Sequence, residues 1–267
     1  GRSERSQAAL AGLVDAIWLT PQMDGLWREG PGERRRFLDR LVYGFDPAHA
    51  GRVSGYETAM RERLRLLTEG RGDGDWLTAL EGEMAGRAVA IAAARRALVG
   101  RLAAATAASG PFPRVGLALA GTVERWLDEG SALAVEERLA AGWKAARGED
   151  AASGTTALGP HRTDLRATHL AKAMPAELCS TGEQKALLVA LVLAHARLLA
   201  ADSGRAPLLL LDEVAAHLDE PRREALFAEV LQLGCQAWLT GTDATIFTPL
   251  GGRAQRFAVA EGRIRPA

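Results

Sequence analysis

A run of four leucines that ends in two carboxylates constrains the fold of this chain more than any other feature. Leu208 to Leu211 follow Pro207 and precede Asp212 and Glu213. A continuous apolar run of this length is typical of a strand buried on both faces, as in a parallel sheet covered by helices. We therefore expect a strand over 207–211 whose carboxyl end presents both acids to a ligand.

The segments around that run predict an α/β domain. Residues 183–200 are apolar nearly all round, which indicates a buried helix. Residues 220–233 predict a second helix, and residues 237–240 predict another short buried strand. Helix, strand, helix and strand in this order are typical of α/β proteins, in which ligands bind at the carboxyl ends of the strands.

Three zones differ in their pattern. Residues 1–30 include a short apolar segment that ends at Pro21, and we assign them to the α/β lobe. Residues 31–150 are rich in Ala, Leu, Arg and Glu with helical spacing, which predicts an inserted all-helical lobe interrupted by turns at 70–74 and 109–113. Residues 151–267 return to mixed helix and strand and complete the α/β lobe. We expect the six tryptophans to lie in the core.

Composition excludes several classes of protein. The 33 Lys and Arg residues balance 33 Asp and Glu residues, so any nucleic-acid surface must be a local patch. That patch must consist mainly of arginine, because the lysines are Lys144, Lys172 and Lys185. The longest apolar run, 186–194, is shorter than the roughly 20 residues that span a bilayer, so we expect no membrane segment. Two cysteines fit a reducing cytoplasm.

The acidic pair has the form of a Walker B element. The buried strand would fix its position, Asp212 would bind Mg²⁺, and Glu213 would orient or deprotonate the water that attacks a γ-phosphate. A core strand that merely ends in two solvated acids is the alternative.

A second motif, Ser180-Thr181-Gly182-Glu183-Gln184, opens the long apolar helix. Ser180 and Glu183 have the spacing of a capping box. Gly182 is not needed for capping, and its missing side chain would let a phosphate approach the N–H groups at the start of the helix. The two interpretations are compatible.

Together these motifs resemble the signature motif and Walker B strand of ABC-type ATPases. With Leu19-Thr20-Pro21 and the segments 30–39 and 159–165, the chain resembles the RecF family over essentially its whole length. The resemblance implies a cytoplasmic, ATP- and Mg²⁺-dependent protein of DNA recombination, repair, replication-gap processing and the SOS response. It also implies double-stranded or gapped DNA, RecR- and RecO-like proteins, and an ATP-dependent homodimer as partners.

The same resemblance assigns roles to individual residues. Ser180, Gly182 and Gln184 would belong to the loop that contacts nucleotide bound by the other subunit, whereas Asp212 and Glu213 would act on nucleotide in their own subunit. Asp219 would lie in the D-loop at the dimer seam, and Gln22 in a segment like the glutamine loop. Thr242 falls near the position that holds a histidine in transporter ATPases.

A Walker A element is missing from the 267 residues. Its lysine follows a glycine and precedes Ser or Thr, and none of the three lysines does. In the family this element lies N-terminal to the part that the chain matches, so we expect a fragment that is inactive as an ATPase when isolated. The alternatives are a catalytically silent head that binds DNA or a partner, and another ATPase of the ABC or chromosome-maintenance type.

Two arginine groups have open interpretations. Arg34, Arg35, Arg36 and Arg40 form either a solvated helix surface or a face that contacts phosphates. Arg162 either contacts nucleotide or a partner, or is a buried arginine that pairs near Asp164.

Overall fold

The computed structural model describes residues 15–70, 73–106 and 111–266. The helices among them are α1 (Pro31–Tyr43), α2 (His49–Thr68), α3 (Gly74–Thr106), α4 (Thr122–Glu129), α5 (Ala132–Ala145), α6 (Arg147–Ser153), α7 (Thr181–Ser203) and α8 (Glu220–Gln232). The strands are β1 (Ala16–Leu19), β2 (Val115–Ala120), β3 (Asp164–His169), β4 (Met174–Pro175), β5 (Leu208–Leu211), β6 (Ala237–Leu239), β7 (Phe257–Ala260) and β8 (Arg263–Pro266).

A parallel sheet with the order β1-β5-β6 carries the leucine run at its centre. The expected strands at 207–211 and 237–240 and the expected helix at 220–233 are confirmed as β5, β6 and α8. The expected burial of the second strand was wrong, because Ala237 and Leu239 are half-buried and Trp238 is exposed. Leu209 and Leu211 are buried, and they share a core with Ile17 and Leu19 of β1 and with the apolar residues of α7. The sheet therefore has one face packed on the core.

Helix α7 is the buried helix that the sequence predicts. Every residue from 184 to 196 is buried. By length and composition it could cross a membrane, since its most apolar 18-residue window has a mean hydropathy of 1.7. However, 67% of that window is buried inside the protein, as in the core helix of a globular domain.

The other face of the sheet differs from expectation. Trp18, Leu210 and Trp238 are cross-strand neighbours on this face and are 39%, 38% and 53% exposed. The expectation that the leucine strand is buried on both faces was therefore wrong for the described residues. The tryptophan expectation was right for Trp27, Trp126 and Trp143, which are buried, and wrong for Trp18, Trp76 and Trp238.

Among its described residues, the interval 31–150 is mostly helical and contains one strand, β2. β2 pairs antiparallel with β3, so that Val115 lies opposite His169 and Ala120 opposite Asp164. The all-helical expectation failed here because the partner strand comes from the third zone, and no local pattern reveals a pairing over about 50 residues. This antiparallel sheet joins the helical lobe to the α/β lobe.

The helical lobe has its own core, in which α2, α3 and α5 pack around Trp143 and Met84. A buried ionic network crosses it. Arg63 donates to Glu81 at 2.9 Å, to Asp150 at 2.6 Å and to the carbonyl of Trp143 at 2.6 Å. All three nitrogens of this buried guanidinium therefore have acceptors.

Candidate active site

The acidic pair lies at the carboxyl edge of the parallel sheet, as the sequence predicts. The N–H of Asp212 donates to the carbonyl of Leu19 at 2.9 Å, and the N–H of Thr240 donates to the carbonyl of Leu211 at 3.1 Å. These bonds extend the ladders on both sides of β5 by one step. Asp212 is therefore fixed by its backbone while its side chain stays exposed.

The hydroxyl of Thr240 connects the two acids. It donates to Oδ1 of Asp212 and accepts the N–H of Glu213 at 3.0 Å. Because Thr240 directly follows β6, the neighbouring strand positions both residues. The family pattern pointed to Thr242 in this segment and not to Thr240, although a hydroxyl residue at the carboxyl end of the adjacent parallel strand was the available signal.

Glu213 has a left-handed backbone conformation, with φ of 51° and ψ of 24°. A residue with a Cβ pays about 1–2 kcal/mol for this conformation unless its surroundings hold it there. The N–H is held by Thr240, and the carbonyl accepts a hydrogen bond from Nζ of Lys185 at 3.1 Å. The strand therefore ends abruptly at Glu213, and the chain turns into a short 3₁₀ segment.

Ser180 is the N-cap of α7, and the predicted capping box is present. Its Oγ accepts the N–H of Glu183 at 3.4 Å, while the Glu183 carboxylate accepts the N–H of Ser180 at 3.0 Å. A Cβ on Gly182 would meet nothing within 4 Å. The space over Gly182 is open, so a phosphate group has room to approach the start of the helix.

Glu183 remains ionised at this helix start. The ammonium of Lys172 contacts its carboxylate and, together with the hydrogen bonds from the N–H and hydroxyl of Ser180, lowers the pKa of Glu183 to about 2. The negative charge of Glu183 is therefore balanced by the positive charge of Lys172, so this carboxylate repels an incoming anion less strongly.

Gln184 is buried and supports the loop from inside. Its Nε2 donates to the carbonyls of Glu177 at 3.2 Å and Cys179 at 3.0 Å, and its Oε1 has no partner in the described part of the chain. In this arrangement Gln184 orders the backbone that precedes Ser180. Its contact with nucleotide stays a prediction.

Gln22 and Asp219 are both exposed, the first in a short turn and the second at the start of a helix. Gln22 lies in the 3₁₀ turn Pro21–Gly25 that follows β1. Asp219 is the N-cap of α8, and its Oδ1 accepts the N–H of Arg222 at 3.0 Å. We call residues 180–184, the N-cap and first turn of α7, the Ser180 loop. Among the described residues, no hydrogen bond joins Gln22, Asp219 or the Ser180 loop to Asp212.

The first two members of the arginine group near residue 35 serve the structure. Arg34 is buried and donates twice to Asp164, at 2.7 and 3.0 Å. Arg35 donates to the carbonyl of Thr163 at 2.7 Å. The solvated and the phosphate-contacting interpretations were thus both wrong for buried Arg34, whereas Arg35 is half-buried, Arg36 is exposed, and phosphate contact by these two stays a prediction.

Arg162 does not pair with Asp164. Its guanidinium donates twice to the carbonyl of Thr156, at 3.1 and 2.9 Å. The pairing proposed for a buried arginine is made by Arg34 instead, which lies 130 positions before Asp164 in the sequence.

The residues present fit a magnesium ion that is shared with a nucleotide. The described residues hold no group of three or more His, Cys, Asp or Glu side chains that could bind a metal alone. Mg²⁺ is commonly held by one or two carboxylates together with water and substrate phosphates. Exposed Asp212, with one oxygen bonded to Thr240, can supply such a ligand.

A parallel sheet whose central strand ends in an ordered acid pair, preceded along the chain by a buried helix that is capped through a Ser-x-Gly motif at its start, defines the head of an ABC-type ATPase. No protein-family model matches the chain. It is 51% identical over 269 residues to the DNA replication and repair protein RecF of Mesorhizobium japonicum, covering 100% of the chain and 71% of that protein. It is 54% identical to the RecF of Rhizobium rhizogenes over 99% of the chain and 71% of that protein.

Solved structures show the same fold. A structure described as the recombination mediator protein RecF-ATPrS in the RecFOR pathway superposes with a TM-score of 0.82 at 20% identity, covering 98% of the chain and 70% of the other. A structure described as RecF-ATP in the same pathway gives 0.79 at 20% identity, covering 99% of the chain and 71% of the other. The chain belongs to the RecF family.

Proposed function

We propose that this RecF-family chain forms an ATP-dependent head that dimerises around nucleotide and acts on DNA in recombinational repair and replication-gap processing in the cytoplasm. The ordered acid pair at the end of β5 carries this proposal. A strand that merely ended in two solvated acids would not need a threonine from the next strand to hold both of them.

Asp212 and Glu213 divide the chemistry between them. Asp212 would hold Mg²⁺, which would supply positive charge to the phosphates of the nucleotide. Glu213 accepts a hydrogen bond from the attacking water and orients it toward the γ-phosphate. The left-handed backbone of Glu213, held at its N–H and its carbonyl, fixes the point from which this side chain leaves the chain relative to Asp212.

The start of α7 contacts nucleotide held by a second subunit. Ser180 and Gly182 face open space there, and the helix dipole favours an anion. Asp219 lies at the seam between the subunits, and Gln22 lies in the turn that senses nucleotide. The solved relatives named with ATP and ATPrS support ATP as the ligand.

The pathway named for those relatives supports double-stranded or gapped DNA and RecO- and RecR-like proteins as partners. Because the chain has no net charge, its DNA surface consists of a local group of arginines.

The test uses the chain preceded by the phosphate-loop segment of the Mesorhizobium relative. Glu213→Gln keeps the size of the side chain and removes the carboxylate. We expect ATP hydrolysis to fall at least about 100-fold and the ATP-bound dimer to persist in sedimentation after excess ATP is removed. Glu224→Gln, at an exposed position of α8, is the matched control and should hydrolyse ATP like the parent.

Equal dimer lifetimes for Glu213→Gln and the parent would contradict the role of Glu213. If the parent binds DNA but neither hydrolyses ATP nor dimerises with it, the chain is instead a catalytically silent binding head.

A further inference from the structure

We propose that Lys185 is a positioning residue that couples the Ser180 loop to Glu213 and to the turn that carries Gln22. The inference rests on the proposed ATPase function, and it goes further by naming the side chain that connects the three segments.

Lys185 lies on the first turns of α7, directly after the Ser180-to-Gln184 loop, and is buried. Its Nζ donates to Oδ2 of Asp24 at 3.1 Å and to the carbonyl of Glu213 at 3.1 Å. One ammonium group therefore joins the start of α7, the turn after β1 and the end of β5.

The bond to Glu213 acts on the strained part of the site. A left-handed residue relaxes toward an ordinary conformation unless both of its peptide groups are held. Thr240 holds the N–H of Glu213, and Lys185 holds its carbonyl. Without the lysine, the carbonyl of Glu213 would keep only the 3.4 Å hydrogen bond from the N–H of Ala216 in the same 3₁₀ segment, and Thr240 would be the remaining contact from another element.

A second contact makes the connection between α7 and the turn after β1 more rigid. Nε1 of Trp27, which closely follows that turn, donates to the carbonyl of Gln184 at 3.3 Å. The turn that carries Gln22 is thus bound to two consecutive residues of α7. A displacement of the Ser180 loop on contact with a partner's nucleotide moves these residues, and Lys185 transmits the movement to the backbone of Glu213.

The chemistry of lysine suits this position. A buried ammonium is tolerated only when it is paired and hydrogen-bonded. Lys185 has a carboxylate and a carbonyl as acceptors, and Asp24 remains partly exposed. Methionine has a similar length and shape without the charge, so Lys185→Met removes both bonds while keeping the side-chain volume.

The first arm of the test uses the 267-residue chain without nucleotide. In hydrogen exchange followed by mass spectrometry, we expect Lys185→Met to raise exchange at least about fivefold in residues 208–218 and 19–27, with the core of α7 unchanged. Lys144→Met is the matched control, because Lys144 is exposed on α5. Unchanged exchange in both segments would overturn the inference, whatever the nucleotide does.

The second arm measures ATP hydrolysis in the version that carries the relative's phosphate loop. We expect kcat to fall about tenfold, which corresponds to about 1.4 kcal/mol, while KM for ATP changes less than about twofold. Asp24→Asn retains the carbonyl bond to Glu213 and should lower kcat less than Lys185→Met does.

The pattern separates positioning from general support. A rise in KM that matches the fall in kcat would show a disordered nucleotide site and refute the proposal. If the exchange arm succeeds but Glu213→Gln leaves hydrolysis unchanged, the connection stands and the proposed catalytic role of Glu213 fails.

Discussion

His195 makes the attachment of α7 to α1 sensitive to pH. The histidine is buried in α7, and its ring lies edge-on to Phe45 with centroids 5.2 Å apart. Its Nε2 is 2.9 Å from the carbonyl of Leu41 and must donate, because a carbonyl only accepts. Burial, together with the nearby cations of Arg40 and Arg101, lowers the pKa of His195 to about 4, against the opposing effect of the Leu41 bond.

The sign follows from proton binding in the two states. In the unfolded chain the pKa of histidine is about 6.5, so between about pH 6.5 and 4 the unfolded state binds more protons than the folded state. The folded state is therefore fully stable above about pH 6.5 and loses stability as the pH falls toward 4. The difference between the unfolded pKa of about 6.5 and the folded pKa of about 4 corresponds to about 3 kcal/mol of folding free energy, of which about 2 kcal/mol is lost by about pH 5.

Urea unfolding of the 267-residue chain at about pH 7.5 and 5 measures this loss. His195→Gln places an amide N–H near the position of Nε2 and cannot titrate. We expect the free energy of unfolding to fall by about 2 kcal/mol less between the two pH values in the variant than in the parent. Equal pH dependence in both proteins would refute the assignment of a neutral, buried His195.

Two further predictions concern ion pairs of opposite character. Arg63→Met leaves Asp150 buried without its ion-pair partner and leaves Glu81 with Arg147 alone, so we expect the free energy of unfolding to fall by about 3–5 kcal/mol, measured by urea unfolding. Arg61→Met, at an exposed position two residues away on the same helix, should change it by less than about 0.5 kcal/mol, and equal effects would contradict the burial argument. Lys172→Met should raise the pKa of Glu183 above about 2, measured by NMR titration of the carboxyl group. Because this pKa is lowered in the folded state, the associated stabilisation is present above about pH 4.5 and is lost as the pH falls toward 2. A pKa that stays near 2 in the variant would show that Ser180, and not Lys172, causes the lowering.

The elements that sequence analysis predicted correctly are those with a local cause. Four leucines favour a strand without reference to the rest of the chain, and the Ser180 and Glu183 spacing predicts a capping box within one helical turn. The apolar residues on all sides of α7 predict the burial of this helix in the same way.

Features that depend on distant partners could not be predicted in this way. The strand β2 is stabilised by pairing with β3, and Arg34 is buried because Asp164 reaches it from the same strand. Nothing near Arg34 in the sequence distinguishes it from Arg36, which stays exposed. At the site, the acids were located from the sequence, whereas Thr240 and Lys185, which hold them, come from two other elements.

The exposed face of the sheet bears directly on the chemistry. Side chains alternate along β5, and the ladder continues to Asp212 through its bond to Leu19. Asp212 therefore lies on the face of Leu210, opposite the buried face of Leu209 and Leu211. The face that the described residues leave uncovered is thus the one on which the proposed magnesium ligand is available, while the buried face fixes the strand on α7. The first carboxylate is accessible because it lies beyond the last buried residue, Leu211, at the carboxyl edge of the sheet, where its backbone is held by the bond to Leu19 while its side chain is exposed.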